Sequence, residues 1–126
     1  MRHPKSKPLA TLIEQMLNEA SWLLSHAQAL VDYGREEEAA AEWLRAAACE
    51  EQVACLLDAA GQEQEAALHR VSAASCYERT GELSRAANLY RAALAGPLSR
   101  PNRTDVERKL GGCLERLQKD MVGSVA

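Results

Sequence analysis

Histidine is the residue type in this chain best suited to metal or proton chemistry, and it occurs as His3, His26 and His69. Glu65 lies four residues before His69, which places the two side chains on one face of a helix. Helical bundles hold metal ions with Glu and Glu-x-x-His ligands on facing helices, but this sequence contains no Glu-x-x-His. One alternative is a single metal ion held by His26, His69 and Glu65. We predict the more ordinary one, in which the histidines are surface or capping residues and no metal is bound.

Catalytic motifs are absent from the sequence. It contains neither a glycine-rich phosphate loop nor a nucleophile elbow. The four cysteines form no Cys-x-x-Cys pair and lie within helical patterns, which is typical of small buried hydrophobic residues; they are Cys49, Cys55, Cys76 and Cys113. We therefore predict a protein that is not an enzyme, has no cofactor and resides in a reducing, cytoplasmic setting.

Composition favours a single domain of closely packed helices. Of 126 residues, 23 are alanine and none is phenylalanine, so the apolar side chains are small in volume. Valine, isoleucine and threonine, which favour β-strands, together number only 10, so a sheet is not expected. The net charge of −3 excludes a chain-wide basic surface for nucleic acid. No run approaches the roughly 18 apolar residues that span a membrane, so we predict neither nucleic acid nor membrane as a partner.

The spacing of apolar residues predicts an all-α fold of five antiparallel helices. These are expected over residues 8–31, 35–60, 62–79, 82–95 and 104–121, after a flexible basic tail (1–7) and before a frayed end (122–126). Gly34, Gly61 and Gly81 end the first three helices, because glycine adopts the left-handed conformation that closes a helix. Thr104 and Glu107 have the spacing of a capping box and predict the start of the fifth helix.

Small and large residues recur at fixed distances from the turn glycines. Positions −7, −4, +5, +9 and +12 from Gly81 hold Ala74, Tyr77, Ala86, Tyr90 and Ala93, and the same offsets from Gly34 hold Ala27, Leu30, Ala39, Trp43 and Ala46. Gly61 is followed by Ala66 in the same way, but Arg70 stands at its aromatic offset. Small residues suit the close approach of antiparallel helices, and large ones fill the gaps between them.

The stretch from Ala74 to Pro97 resembles the tetratricopeptide repeat, whose signature combines small, aromatic and proline positions on two helices. In helix five, Leu110 and Gly111 resemble the Leu-Gly pair of that family. A glycine inside a helix costs about 1 kcal/mol relative to alanine. The close approach of another helix would explain why a glycine stands at this position. The resemblance implies either a right-handed array of helical hairpins or, if irregular, a compact helical bundle.

The resemblance also implies a non-enzymatic adaptor or scaffold that binds a protein segment in a groove. By register, the groove residues are Leu24, Gln28, Val31, Leu68, Val71 and Ser75, with Glu78, Arg108 and Glu115 on the same face. Some repeat proteins clamp a C-terminal carboxylate with basic and amide side chains of this face. The corresponding places here hold Leu24, Gln28, Val71 and Ser75, so we predict no such clamp. The apolar members suit an amphipathic helix or an apolar peptide.

Two other interpretations remain open at this stage. The apolar groove residues could simply close a small core, since apolar residues at helical spacing are usually core. Charge offers a second function: residues 32–65 carry a net charge of −8 and residues 70–120 carry +4. An acidic helix two that meets the basic C-terminal half would make the protein a self-associating homodimer or larger oligomer.

Overall fold

The computed structural model describes residues 6–125 and confirms the all-α fold. This part of the chain forms five helices and no strand. The helices are α1 (Ser6–Asp32), α2 (Glu36–Ala59), α3 (Glu63–Arg79), α4 (Leu83–Leu94) and α5 (Arg100–Val125). Of the predicted basic tail, residues 1–5 lie outside the described residues, and Ser6 already begins α1. The predicted frayed end is helical as far as Val125, and Ala126 lies outside the described residues.

The start of α5 lies four residues before its predicted position, as far off as the end of the same helix. The helix begins at Arg100, where the Ser99 hydroxyl accepts a hydrogen bond from the backbone N–H of Asn102 at 3.4 Å. The Thr104 hydroxyl instead donates to the carbonyl of Arg100 at 3.2 Å, so the predicted capping box is wrong. The helix starts earlier because Pro101 is tolerated in the first turn, where an N–H has no partner within the helix.

Three turns connect the first four helices with one backbone geometry. Their glycines, Gly34, Gly61 and Gly81, have φ between 76° and 81°. In each turn the glycine N–H donates to the carbonyl three residues earlier, and the next residue donates to the carbonyl five residues earlier at 2.8 to 2.9 Å. This is the Schellman pattern, which satisfies the carbonyls at a helix end with backbone donors. At Gly81 the Thr80 hydroxyl adds a hydrogen bond to the carbonyl of Tyr77 at 3.0 Å.

Alanines flank all three turns where neighbouring helices meet. Each glycine has an alanine seven residues before it and another five residues after it. None of these six side chains is more than 1% exposed: Ala27, Ala39, Ala54, Ala66, Ala74 and Ala86. The turn at Gly61 therefore has the same alanine pattern as the other two. Arg70 stands nine residues after this glycine, where the other turns have an aromatic residue, and its guanidinium pairs with Asp58 of α2.

The connection from α4 to α5 is built differently. Gly96 does not have a positive φ. The guanidinium of Arg103 donates instead to the carbonyls of Leu94 at 2.8 Å and Gly96 at 3.0 Å. One side chain of α5 thus satisfies the end of α4 and fixes the distance between these two helices.

Helix packing in residues 6–125 follows the order of the chain. Extensive contacts join α1 to α2, α2 to α3, α3 to α4 and α4 to α5. The main core runs through all five helices, and a smaller one around Ile13, Val53 and Leu57 fills the end formed by α1, α2 and α3. A closed bundle would also pack the first helices against the last, so the arrangement is an array of consecutive hairpins.

Two expectations about single residues are wrong. Cys55 is exposed, whereas Cys49, Cys76 and Cys113 are buried as predicted. Gly111 does not mark the close approach of a helix, because a Cβ atom built on it would meet nothing within 4 Å. Helix α5 is covered by α4 on the side of Cys113, and Gly111 lies on the exposed side.

Replacing turn glycines and helix glycines with alanine should have opposite effects. Gly81→Ala is expected to lower the free energy of unfolding by about 1–2 kcal/mol, because an L-residue resists the left-handed conformation. Gly111→Ala is expected to raise it by about 0.5–1 kcal/mol, since the site is open and alanine is the better helix former. Urea denaturation of both variants tests this; a change of the same sign in the two would contradict the assigned conformations.

Stability should decline at alkaline pH through the buried thiols. Burial raises the pKa of Cys76 to about 12 and that of Cys113 to about 11, from an ordinary value of 9.0. The unfolded chain ionises these thiols first, so the stability they contribute is present below pH 9 and is lost as pH rises toward 11–12. Urea midpoints between pH 7 and about 11 should fall less steeply in Cys76→Ala/Cys113→Ala than in the native chain. Cys55→Ala, at the exposed thiol, should keep the native slope.

Candidate binding cleft between α3 and α5

The predicted groove residues of α1 lie along one stripe of that helix. Leu24 and Val31 are half-buried and pack against the main core. Gln28 is exposed, and its amide donates to the Asp32 carboxylate at 3.1 Å. The two apolar members of this stripe therefore belong to the margin of the core.

The predicted groove residues of α3 have three different surroundings. Leu68 is 42% exposed, while Val71 is half-buried against the main core. Ser75 is half-buried, with its hydroxyl oxygen 3.3 Å from that of Tyr90 on α4. Of the six predicted residues, Ser75 is the one that the structure places in the wall of a cleft between α3 and α5.

This cleft, which we call the α3–α5 cleft, has a volume of about 400 Å³. Helices α3 and α5 form its walls, and α4 supplies its floor. Its lining residues are Ser75, Glu78, Arg79, Tyr90, Lys109 and Arg116. A second cleft of similar volume lies between α2 and α4 and is lined by Glu51, Arg85, Asn88 and Leu89. The odd-numbered helices α3 and α5 therefore border one face of the array, and the even-numbered helices α2 and α4 border another.

The floor of the α3–α5 cleft is a fixed hydrogen-bonded group. Tyr90 is fully buried, and its hydroxyl donates to the Glu78 carboxylate at 2.7 Å. Burial raises the pKa of Tyr90, and the hydrogen bond to Glu78 raises it further. The phenol consequently stays protonated at neutral pH and holds one oxygen of Glu78 against the α3 wall.

The α5 wall carries two cations with weak internal partners. Lys109 Nζ lies 3.3 Å from the Asp105 carboxylate, and its side chain is 36% exposed. Arg116 Nη1 lies 3.8 Å from the second oxygen of Glu78, and its side chain is 53% exposed. Ion pairs this exposed contribute little stability, so both groups can exchange partners with an incoming ligand.

The third cation of the cleft comes from the end of α3. The guanidinium of Arg79 stacks on the indole of Trp43 in α2, 4.4 Å from the ring centroid. Such stacking orients an arginine without neutralising its charge. Among the lining residues three cations face the single carboxylate of Glu78, which gives a net charge of +2; the Asp105 carboxylate beside Lys109 reduces it locally to +1.

His26 and His69 are not brought together into a metal site, and His3 lies outside the described residues. His69 Nδ1 lies 2.6 Å from the buried carboxylate of Glu50, and His26 Nδ1 lies 3.6 Å from Glu42. Glu65 is exposed at the start of α3 and shares neither pair. Within residues 6–125, no group of three His, Cys, Asp or Glu side chains is placed to hold a metal ion.

The sequence pattern missed Lys109 and Arg116 by one position on α5. It assigned Arg108 and Glu115 to the groove, but Arg108 pairs with Asp105 of its own helix. One residue corresponds to about 100° around a helix, so the neighbouring pair points elsewhere. The buried residues Val106 and Cys113 carry the signal for the correct register, because Lys109 and Arg116 each follow one of them by three positions.

Comparison of the chain with protein-family models, curated proteins and solved structures gave no match. In residues 6–125, no helix combines the length and the apolar character needed to cross a membrane.

The floor of the cleft can be tested through its buried phenol. Tyr90→Phe removes the hydroxyl that holds Glu78, and we expect the free energy of unfolding to fall by about 1 kcal/mol. Tyr33→Phe is the matched control, because Tyr33 is 83% exposed and should change stability by less than about 0.5 kcal/mol. Equal urea midpoints for the two variants would contradict the hydrogen bond described here.

Proposed function

We propose that the protein is a non-enzymatic interaction module that binds a segment of a partner protein on its odd-helix face, along α3 and α5. The observation that carries the proposal is the α3–α5 cleft, a preformed depression with a fixed floor and exposed cations on its walls. Exposed charges at such a site steer a partner of opposite charge and fix the orientation in which it binds.

The open array supports this proposal. Because each helix packs mainly on its neighbours in the chain, part of α3 beside the cleft remains accessible, including Leu68. Leu68 lies seven residues before Ser75 and therefore on the same side of α3. Its exposed side chain offers apolar contact next to the charged cleft, a combination that suits a peptide or helix of a partner.

The cleft chemistry favours binding over catalysis. Its phenol is buried and donates to Glu78, and its carboxylate lies close to Arg116, so both groups are engaged in structural contacts. We also propose the reducing, cytoplasmic setting predicted above. The four free thiols, three of them buried, support it.

The apolar part of the binding face is best tested at Leu68. Leu24 and Val71 pack against the core, so a glutamate at either position would unfold the protein rather than report on binding. Leu68→Glu is expected to reduce capture of a partner from the native source by roughly tenfold, because it places a charge in the apolar contact. Leu44→Glu is the matched control, since Leu44 lies on α2 and is 39% exposed.

The readout is mass spectrometry of proteins retained on the immobilised native chain and on both variants. Circular dichroism should show equal helicity for all three. A partner held by the native chain and by Leu44→Glu, but not by Leu68→Glu, is the expected result. Retention of only further copies of the chain itself would contradict the proposal and favour self-association through the acidic and basic halves.

A further inference from the structure

We propose that the α3–α5 cleft selects an acidic peptide segment whose carboxylates are spaced about 10 Å apart. The inference rests on the proposed function and names the chemistry of the ligand. It follows from the positions of three cations, from the hydrogen bond that holds Glu78 and from the burial of Tyr90.

The spacing of the cations along α5 sets the size of the ligand. Lys109 and Arg116 are seven residues apart, so they lie on one side of the helix and about 10 Å apart along its axis. Arg79 adds a positive charge from the α3 wall. A single small anion cannot contact both ends of this row, whereas a chain with several carboxylates can.

An extended peptide matches the row when its acidic residues are three positions apart. In the extended polyproline II conformation three residues make one turn and advance about 9 Å, so side chains three positions apart lie on the same side of the chain. Two side chains of this spacing would meet Lys109 and Arg116 together. Adjacent acidic residues would point to different sides of such a chain and would engage one cation at a time.

Glu78 keeps the ligand at the rim of the cleft. Tyr90 holds one of its oxygens at 2.7 Å, which leaves a fixed negative charge beside the floor. An incoming carboxylate is repelled from the floor and attracted by the cations above it. Arg116, 3.8 Å from Glu78, is too distant for a direct hydrogen bond and keeps its donors available.

Two further observations favour a peptide over a nucleic acid. Tyr90 is the only aromatic residue among the cleft lining, and it is fully buried, so no ring is presented for base stacking. The first turn of α2 also carries Glu36, Glu37 and Glu38, which repel a long polyanion that extends beyond the cleft.

The site differs from the carboxylate clamp that the resemblance would imply. The clamp positions hold Leu24, Gln28, Val71 and Ser75, and only Ser75 reaches the cleft. The cations belong to α5 and to the last residue of α3. The expected ligand is therefore an internal acidic segment read through side-chain carboxylates, and it needs no free C-terminus.

The experiment is fluorescence anisotropy with three labelled peptides made of Gly, Ser and Glu. The first has Glu at every third position, the second has the same number of Glu in adjacent pairs, and the third has Gln in place of Glu. At low salt the native chain should bind the first peptide best and the Gln peptide worst. Added salt should weaken binding, because charges on the exposed rim are screened.

Two charge-reversal variants locate the binding. Lys109→Glu/Arg116→Glu should weaken binding of the first peptide by roughly tenfold or more. Arg91→Glu/Arg100→Glu changes the net charge equally at exposed positions outside the cleft lining and should stay within about twofold of the native chain. The milder Lys109→Gln/Arg116→Gln keeps the test valid if the reversal unfolds the protein, as checked by circular dichroism.

Several results would overturn the inference. Equal losses in the two reversal variants would mean general attraction of charge, and equal binding of spaced and paired peptides would refute the spacing. Tighter cleft-dependent binding of single-stranded RNA would replace the peptide with a nucleic acid. The Leu68 experiment uses apolar contact and a native partner, so it distinguishes failure of the ligand chemistry from failure of the proposed function.

Discussion

Close contact between helices at buried alanines is the constraint on which the rest of the structure depends. Ala74 and Ala86, on either side of the turn at Gly81, are completely buried, and equivalent alanines flank the other two turns. A methyl group fills little space, so the helices approach closely and the core has few large side chains. Each buried alanine contributes little hydrophobic free energy, and the position of one helix on the next needs further support.

Polar contacts between consecutive helices provide that support. Tyr77 of α3 donates to Glu51 of α2 at 2.6 Å, and Tyr90 of α4 donates to Glu78 of α3 at 2.7 Å. Between α2 and α3, Glu50 is only 3% exposed and pairs with His69. A carboxylate buried in this way tolerates few alternative positions, because leaving it without a partner is costly. The floor of the α3–α5 cleft is thus one instance of a device that also orders the α2–α3 interface.

The fold was largely predictable, whereas the cleft was not. Turn glycines and helical periodicity are local signals, and they placed the ends of α2, α3 and α4 within one residue. The start of α5 depends on Ser99 and on an arginine that reaches back to α4, which no local pattern reveals. The cleft depends further on the rotation of α5, where a shift of one residue exchanges Lys109 for Arg108. Family resemblance gave a register for that helix through Gly111, and this glycine proved to be exposed and without a close neighbour.

Identical turns at Gly34, Gly61 and Gly81 have a consequence for how such a chain can grow. The hydrogen bonds that the three turns share are made by the backbone, so the segment between two of these glycines is a transferable unit of one helix. Each unit reverses the direction of the chain, and the next helix then lies on the other face of the array. Inserting one unit before α5 would carry Lys109 and Arg116 away from α3 and dismantle the cleft. Inserting two would return α5 to the same face but beside new helices instead of α3 and α4, so length variation that preserves the cleft must leave α3, α4 and α5 consecutive.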